Sequence, residues 1–448
     1  MQRDWIGDLV AQLQNGKLNR RDFAKKAAAA GISASLVAQA LRVSPAFAQD
    51  AAKASDIGQP DVEHITDTSK GTINLYSSWP LTGSSLQIGG DAVEAVKMAL
   101  ADFGNAAGGY ALNYTALDDG IAANNGSWEA ATESANATQV VNDADAMVYM
   151  ATYNTGAARV SIPITNEVGM AQISYANTGV GLTKSLEGVT DPDEPDKYYP
   201  TGKRNYMRTV PSDDIQGTAA ATWAYNELGA RKAYILHDNQ PYGKGVAKVF
   251  ELKFTELGGE SLGFEAYVAD SGDYQSLMSS IADTGPDLLY LGAIVNLNAS
   301  KLLLDMRDFM PADEVTFLGP DGLINQDFVD GAGEAAEGAY ITFGGVPAGN
   351  LEGPGADYAK RMTDKFGHEP DAYAMYAYET TVVVIQAIDK AGEKDRAKIL
   401  DAMFATKDFA GLLGKTWSFT ETGDTDSKSM GLNQVQNGKI VYIKSIGE

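Results

Sequence analysis

From Gly71 onward, short apolar β-type runs alternate with amphipathic stretches, and the alternation comes in two successive series. This constrains the fold strongly. Parallel strands need a crossover, usually a helix, and the helices then cover both faces of the sheet. The first series reads as strands at 72–76, 112–117, 146–150 and 170–175, with helices at 88–103, 128–141 and 157–168. A second begins after Pro211, with helices at 215–228, 246–257, 274–281 and 299–309, and strands at 232–237, 261–268, 287–291 and 315–318. A strand at 339–343, helices at 357–366 and 373–391, and short strands within 417–446 follow. These late elements are too few for a third core, so they are expected to complete the first two lobes. The chain would then cross between lobes near 209–211, 342–344 and 417–419, a linkage that restricts relative motion to a hinge. The expected divisions are 71–210 with 343–417 for lobe 1, and 211–342 with 418–448 for lobe 2.

The start of the chain reads differently. Arg20 and Arg21, followed by Phe23 and Lys25, precede a weakly apolar run over 27–41 and the small-x-small step Ala46-Phe47-Ala48. This has the form of a twin-arginine-type export signal over residues 1–48, removed after Ala48. Residues 49–70 are polar, without apolar period, and read as a flexible lead-in. No later apolar stretch reaches the roughly 18–20 residues of a spanning helix. The expected location is therefore extracytoplasmic and soluble. A formal charge of −24, from 35 basic and 59 acidic residues, repels nucleic acid and anionic lipid. The absence of cysteine removes disulfides, iron–sulfur clusters, thiol catalysis and a lipid anchor at the signal cleavage point. The three histidines, His64, His237 and His368, lack ligand spacing, so no metal site is expected.

Several loops share one pattern. Pro80-Leu81-Thr82-Gly83 follows the first strand and Asp118-Asp119 closes the second. Tyr153-Asn154-Thr155-Gly156 and Ile173-Ser174-Tyr175-Ala176-Asn177-Thr178 follow the next two. His237-Asp238-Asn239-Gln240-Pro241-Tyr242-Gly243 and Gly319-Pro320-Asp321-Gly322 fall in the second series. In this order, over 71–448, they resemble the leucine/isoleucine/valine-binding protein family, the type I solute receptors of ATP-driven importers. The resemblance implies an α/β fold of two Rossmann-like lobes (periplasmic binding protein type I) joined by a three-crossing hinge. It also implies a monomer that binds a small amino acid or related carboxylate or amide, branched-chain amino acids first, and delivers it to an inner-membrane ABC permease.

Ligands of parallel α/β sheets sit beyond the carboxyl ends of the strands, where the resemblance places these loops. Thr155 and Gly156 open a helix whose free N–H groups suit a ligand carboxylate, although a plain helix cap has the same form. Thr178 offers a hydroxyl to that carboxylate, Ala176 a carbonyl to an ammonium, and Asn177 lies between them. The resemblance makes Asp321 the counter-charge of the ammonium, and Asp is one methylene shorter than the Glu of many relatives. Tyr242 is expected to cover the ligand from the second lobe, with Trp79, Tyr153, Tyr373 and Tyr376 as further aromatic wall. Ile88 and Ile294 stand where leucine-type receptors place tyrosines, which predicts a more aliphatic pocket. Each turn motif also has a purely structural reading.

Other signals carry less. Gly331-Ala332-Gly333-Glu334-Ala335-Ala336 matches G-x-G-x-x-A, but no strand precedes it at the correct distance and its glutamates repel a pyrophosphate. The acidic run 191–196 lacks the glycine and closing glutamate of an EF-hand. With no Walker A motif, nucleophile elbow or catalytic constellation, neither an enzyme nor a cofactor is expected. A sensory receptor on the same clamshell, coupled to a chemoreceptor or kinase, remains a second reading. A secreted enzyme is a third.

Overall fold

The structure is a computed structural model that describes residues 57–447. The expected export signal and the first part of the lead-in lie outside the described residues. Two sheets organise the chain. The first is built from β1 (Thr72–Trp79), β2 (Ala106–Ala107), β3 (Tyr110–Asp118), β4 (Ala146–Ala151), β5 (Ala171–Ser174) and β6 (Tyr206–Arg208), in the order β2-β3-β1-β4-β5-β6. All its pairings are parallel except β2 with β3. The second holds β7 (Lys232–His237), β8 (Glu260–Ala266), β9 (Leu288–Gly292), β10 (Thr316–Gly319) and β11 (Tyr340–Phe343), all parallel. Its far edge is completed by the antiparallel strands β14 (Met430–Gln436) and β15 (Lys439–Ile446). The fold is the expected two-lobe α/β architecture. β4 and β9 are buried at every residue, which is why their sequences read as continuous apolar runs.

The helices of the first lobe are α1 (Leu86–Asp102), α2 (Ala130–Asn142) and α3 (Thr155–Glu167). Those of the second are α4 (Asp213–Trp223), α5 (Pro241–Glu256), α6 (Gln275–Ala282), α7 (Ser300–Arg307) and α8 (Gln326–Ala332). The chain then returns to the first lobe as α9 (Pro354–Phe366), α10 (Ala374–Ala391) and α11 (Arg396–Phe404), followed by the small hairpin β12 (Phe409–Ala410) and β13 (Thr416–Trp417). α10 is buried on nearly every side, against α1, α9, α11 and the first sheet, as a helix without a polar face must be. The short elements β2, β6, α8 and α11 have no counterpart in the sequence reading. The G-x-G-x-x-A segment forms the end of α8 and a 3₁₀ turn, Gly333–Ala336. The acidic run 191–196 is neutralised internally by Lys197, 3.0 Å from Asp191 and 3.1 Å from Asp193, and by Arg159, 2.9 Å from Glu194.

The chain passes between the lobes three times: after β6, after β11 and between β13 and β14. The passages lie side by side. A Cβ on Gly344 would meet the Pro211 ring at 2.8 Å, and one on Gly431 would meet the Gly345 carbonyl at 2.2 Å. Only glycine permits backbones to approach this closely.

The stretch expected as a loose lead-in is, from Gly58, fastened to the first lobe. Gly58 exchanges backbone hydrogen bonds with Ala410 (3.0 and 2.9 Å), and the Gln59 N–H donates to Gln386 Oε1 at 2.8 Å. The polar residues that made the segment look unstructured are the ones that tie it down. His64 sits between the Asp389 carboxylate (Nδ1, 2.8 Å) and the Phe103 carbonyl (Nε2, 2.9 Å). Both partners only accept, so both bonds form only when the ring is an imidazolium. Burial alone lowers its pKa, but Asp389 and the Phe103 carbonyl outweigh that and raise it. A raised histidine stabilises fully below its unfolded pKa of about 6.5 and loses that contribution as pH rises through the folded value. The melting temperature of the wild type is therefore expected to exceed that of His64→Ala most at pH 5.5. The gap should narrow above neutrality in a pH series of thermal melts, and a gap that widens with pH would contradict this.

Candidate functional site

In the first sheet the strand order reverses between β1 and β4, and in the second between β7 and β9. The loops leaving these strands are where an open α/β sheet forms a crevice. Pro80, Ser85, Tyr153 and Asn154 come from the first pair of loops and Asn296 from the loop after β9, and with Ile88, Gly89 and Tyr175 they line one cavity of about 10 Å³. That volume suits about one water. The Asn296 amide donates to Ser85 Oγ across it at 2.8 Å.

The rings of Tyr153, Tyr175 and Tyr373 form one cluster, with centroids 5.8 to 6.4 Å apart. Trp79 stands behind it, edge-on to Tyr175 at 4.8 Å, with its indole N–H bound to the Gly89 carbonyl, so it supports the wall from inside the core. Ile88 borders the cavity and Ile294 packs on Tyr242, so both isoleucines lie beside the tyrosine cluster. Tyr175 belongs to this wall and was missed. Tyr376 instead donates to the Gly344 carbonyl and packs on Phe343, at the second passage between lobes.

The loop after β5 is ordered by Ser174 Oγ, which accepts from Ala176 N–H at 3.0 Å and Asn177 N–H at 2.8 Å. Asn177 is fully buried. Its amide donates to the Tyr153 carbonyl (2.8 Å) and its oxygen accepts from Tyr206 (3.0 Å), so it joins the two first-lobe loops. Thr155 Oγ1 accepts from Gly179 N–H at 3.3 Å, and a Cβ on Gly156 would lie 2.2 Å from the Trp128 ring. Close packing against Trp128 thus accounts for glycine at this position. The Thr178 carbonyl accepts from Asp213 N–H at 2.8 Å, linking the loop to the first turn of α4.

Asp321 is the centre of the arrangement. The hydroxyls of Tyr242, in the second lobe, and Tyr373, in the first, both donate to its carboxylate. Gly322 N–H donates in turn to the Tyr242 oxygen at 2.8 Å. Burial raises the pKa of Asp321, and the hydrogen bonds from Tyr242, Tyr373 and the Gln216 amide pull it back. Beside it lies Asp213, fully buried, whose carboxylate oxygens make no hydrogen bond of ordinary geometry, with the Thr178 hydroxyl the side-chain donor that acts on it. Its pKa is driven well up, by burial first and then by the negative charge of Asp321. The Gln216 side-chain oxygen and the Tyr290 and Thr342 hydroxyls are likewise buried without partners. Asp213, Gln216 and Tyr290 were not anticipated. The adjacent acids Asp213-Asp214 after Pro211 were the available signal, and acids in a first helical turn are ordinary.

Residues 73–439 match the family described as Periplasmic binding protein. The Leu/Ile/Val-binding protein homolog 1 of Brucella suis is 30% identical over 244 residues, which are 54% of this chain and 63% of that protein. The chain thus spans under two thirds of that relative. Homolog 2 of Brucella abortus is 29% identical over 348 residues, 77% of this chain and 85% of that protein. Among solved structures, the leucine binding protein LivK of Thermotoga maritima superposes with a TM-score of 0.72 at 22% identity, over 84% of this chain and 99% of the other. A solute binding protein of an ABC transporter from R. palustris, in complex with benzoate, gives 0.69 at 18% identity, over 84% and 96%. Among the described residues no helix is long and apolar enough to cross a membrane.

Proposed function

Because the chain belongs to the periplasmic binding protein family, we propose that it is an extracytoplasmic receptor that closes its lobes on a small solute and presents the closed form to an ABC permease. Branched-chain amino acids are the first candidates, followed by related amides and carboxylates, in keeping with the names of its relatives. The lobes are divided as 71–210 with 343–417, and 211–342 with 418–448. Residues 1–48 act as a twin-arginine-type leader, and the mature chain works as a monomer that captures its ligand without converting it.

The observation that carries this reading is the doubly held carboxylate of Asp321, which ties the closing of the cleft to the chemistry of its walls. Tyr153, Thr155, Ala176, Thr178, Tyr242, Asp321 and Tyr373 form the proposed ligand surface, while Trp79, Gly156, Asn177 and Tyr376 hold it in shape. A cavity of about 10 Å³ admits no amino acid, so the solute enters through parted lobes. Contacts to both walls then provide the differential affinity that closes them. Solution scattering of the full mature chain is expected to show a smaller radius of gyration with ligand than without. A ligand at 100 times its Kd adds about 2.7 kcal/mol to stability in thermal melts. A panel of amino acids, amides and carboxylates that leaves both readouts unmoved sinks the proposal.

A further inference from the structure

Asp213 and Asp321 form a buried acidic pair, and among the described residues neither carboxylate is in a salt bridge. The basic side chain acting on Asp213 is Arg208, whose guanidinium is already committed. Its Nε donates to Asp424 at 2.7 Å, its Nη1 to the carbonyls of Asn177 and Gly179, and its Nη2 to Thr183 Oγ1. The other groups that act on the pair are hydroxyls, amides and acids: Tyr242, Tyr290 and Tyr373, Thr178, Gln216 and Asp214. Three neutral groups around the pair, the Gln216 oxygen and the hydroxyls of Tyr290 and Thr342, are themselves buried and unpartnered. Buried carboxylates and acceptors without donors are costly unless a partner supplies positive charge and hydrogen bonds.

We propose that Asp213 is a second anionic anchor beside Asp321, so that the site takes solutes with a cationic, multiply donating nitrogen head and rejects those that offer only a carboxylate. The inference rests on the receptor reading above and narrows its substrate class. An ammonium has three N–H donors, enough to reach both carboxylates and a neighbouring acceptor. An anionic group in the same place would meet the remaining negative charge of the pair in a low-dielectric enclosure and could not take the place of its proton. Without ligand, the repulsion between the acids favours a proton held on the pair. The ligand's charge replaces that proton, so binding releases it.

The test is calorimetric titration of the mature chain with L-leucine, L-leucinamide and 4-methylpentanoate, which share a side chain and differ in the head group. Leucine and leucinamide are expected to bind, and 4-methylpentanoate to bind at least 100-fold more weakly. Repeating the titration in phosphate and Tris, whose ionisation enthalpies differ, should show proton release on binding near pH 7. Asp213→Asn should weaken the cationic ligands at least tenfold and reduce that release. Tight binding of 4-methylpentanoate, an unchanged Kd in Asp213→Asn or binding without proton release would overturn the inference and leave the receptor reading standing. Should none of the three bind, the inference falls, and the receptor reading is then judged separately by the wider panel. The proton-release measurement needs no variant, so it decides the matter even if Asp213→Asn does not fold.

Discussion

Replacing Asp424 with asparagine is expected to lower the unfolding free energy by about 3–5 kcal/mol, the usual cost of leaving one member of a buried ion pair uncompensated. Arg208 is fully buried at the end of β6, with its Nε 2.7 Å from Asp424 Oδ1. Asp424 also accepts from Thr183 Oγ1 at 2.9 Å and lies 3.4 Å from Lys184. These contacts fasten the third passage between lobes onto the open edge of the first sheet, where the Arg208 N–H donates to the Gly423 carbonyl at 3.0 Å. Gly423 has φ +87°, and a Cβ there would strike the Tyr206 carbonyl at 2.2 Å. Burial alone would raise the pKa of Asp424, but Arg208 and Lys184 outweigh it and hold the group below the usual range. A depressed carboxylate stabilises above its unfolded pKa of about 4 and loses that contribution as pH falls through the folded value. Urea unfolding at neutral pH should therefore separate wild type from Asp424→Asn by the full amount, and the two should converge in acid. The double replacement Arg208→Met with Asp424→Leu should recover part of the loss, because no charge is then left buried alone. A loss below about 1 kcal/mol at pH 7 would show that the passage is held by other contacts.

The second large effect falls on binding. Asp321→Asn preserves the shape of the side chain and removes its charge. The Kd for an amino-acid ligand is expected to rise by 100-fold or more, about 2.7 kcal/mol or above. The ligand-free protein should behave differently, because burial raises the pKa of Asp321 in the folded state. Such a group stabilises below its unfolded pKa and costs stability as pH rises through the folded value. Neutral asparagine avoids that cost, so the ligand-free variant should melt at or above the wild type at pH 7. Ligand should then shift the melt of the wild type and leave the variant unmoved. A variant that melts lower and still responds to ligand would move Asp321 out of the site and into the scaffold.

Much of this was legible in the chain itself. The runs Ala146–Ala151 and Leu288–Gly292 are strands because continuous apolar β-type segments between turns suit a sheet covered on both faces. His237-Asp238 and Gly319-Pro320-Asp321 mark strand ends, and the loops they begin supply Tyr242 and Asp321 to the cleft. Other features left no local trace. β6 has only three residues and carries a buried arginine, which no apolar pattern reveals. The lead-in looked unstructured because its anchors are polar and their partners, Gln386 and Asp389, lie more than 300 positions away.

By itself, then, the sequence determined the two α/β series and the return of the late elements to both lobes, while the place of the loops at the cleft came from the family resemblance. Periodicity and turn chemistry are local properties, carried by neighbouring residues. Only the tertiary structure decided which buried polar groups find partners and which are left without them. Asn177 and Arg208 find partners for their polar atoms, Arg208 in a carboxylate 216 positions further on, while Asp213 and Gln216 keep atoms without any. Whether a buried charge is satisfied depends on distant segments brought within hydrogen-bonding reach, and folding alone sets that distance.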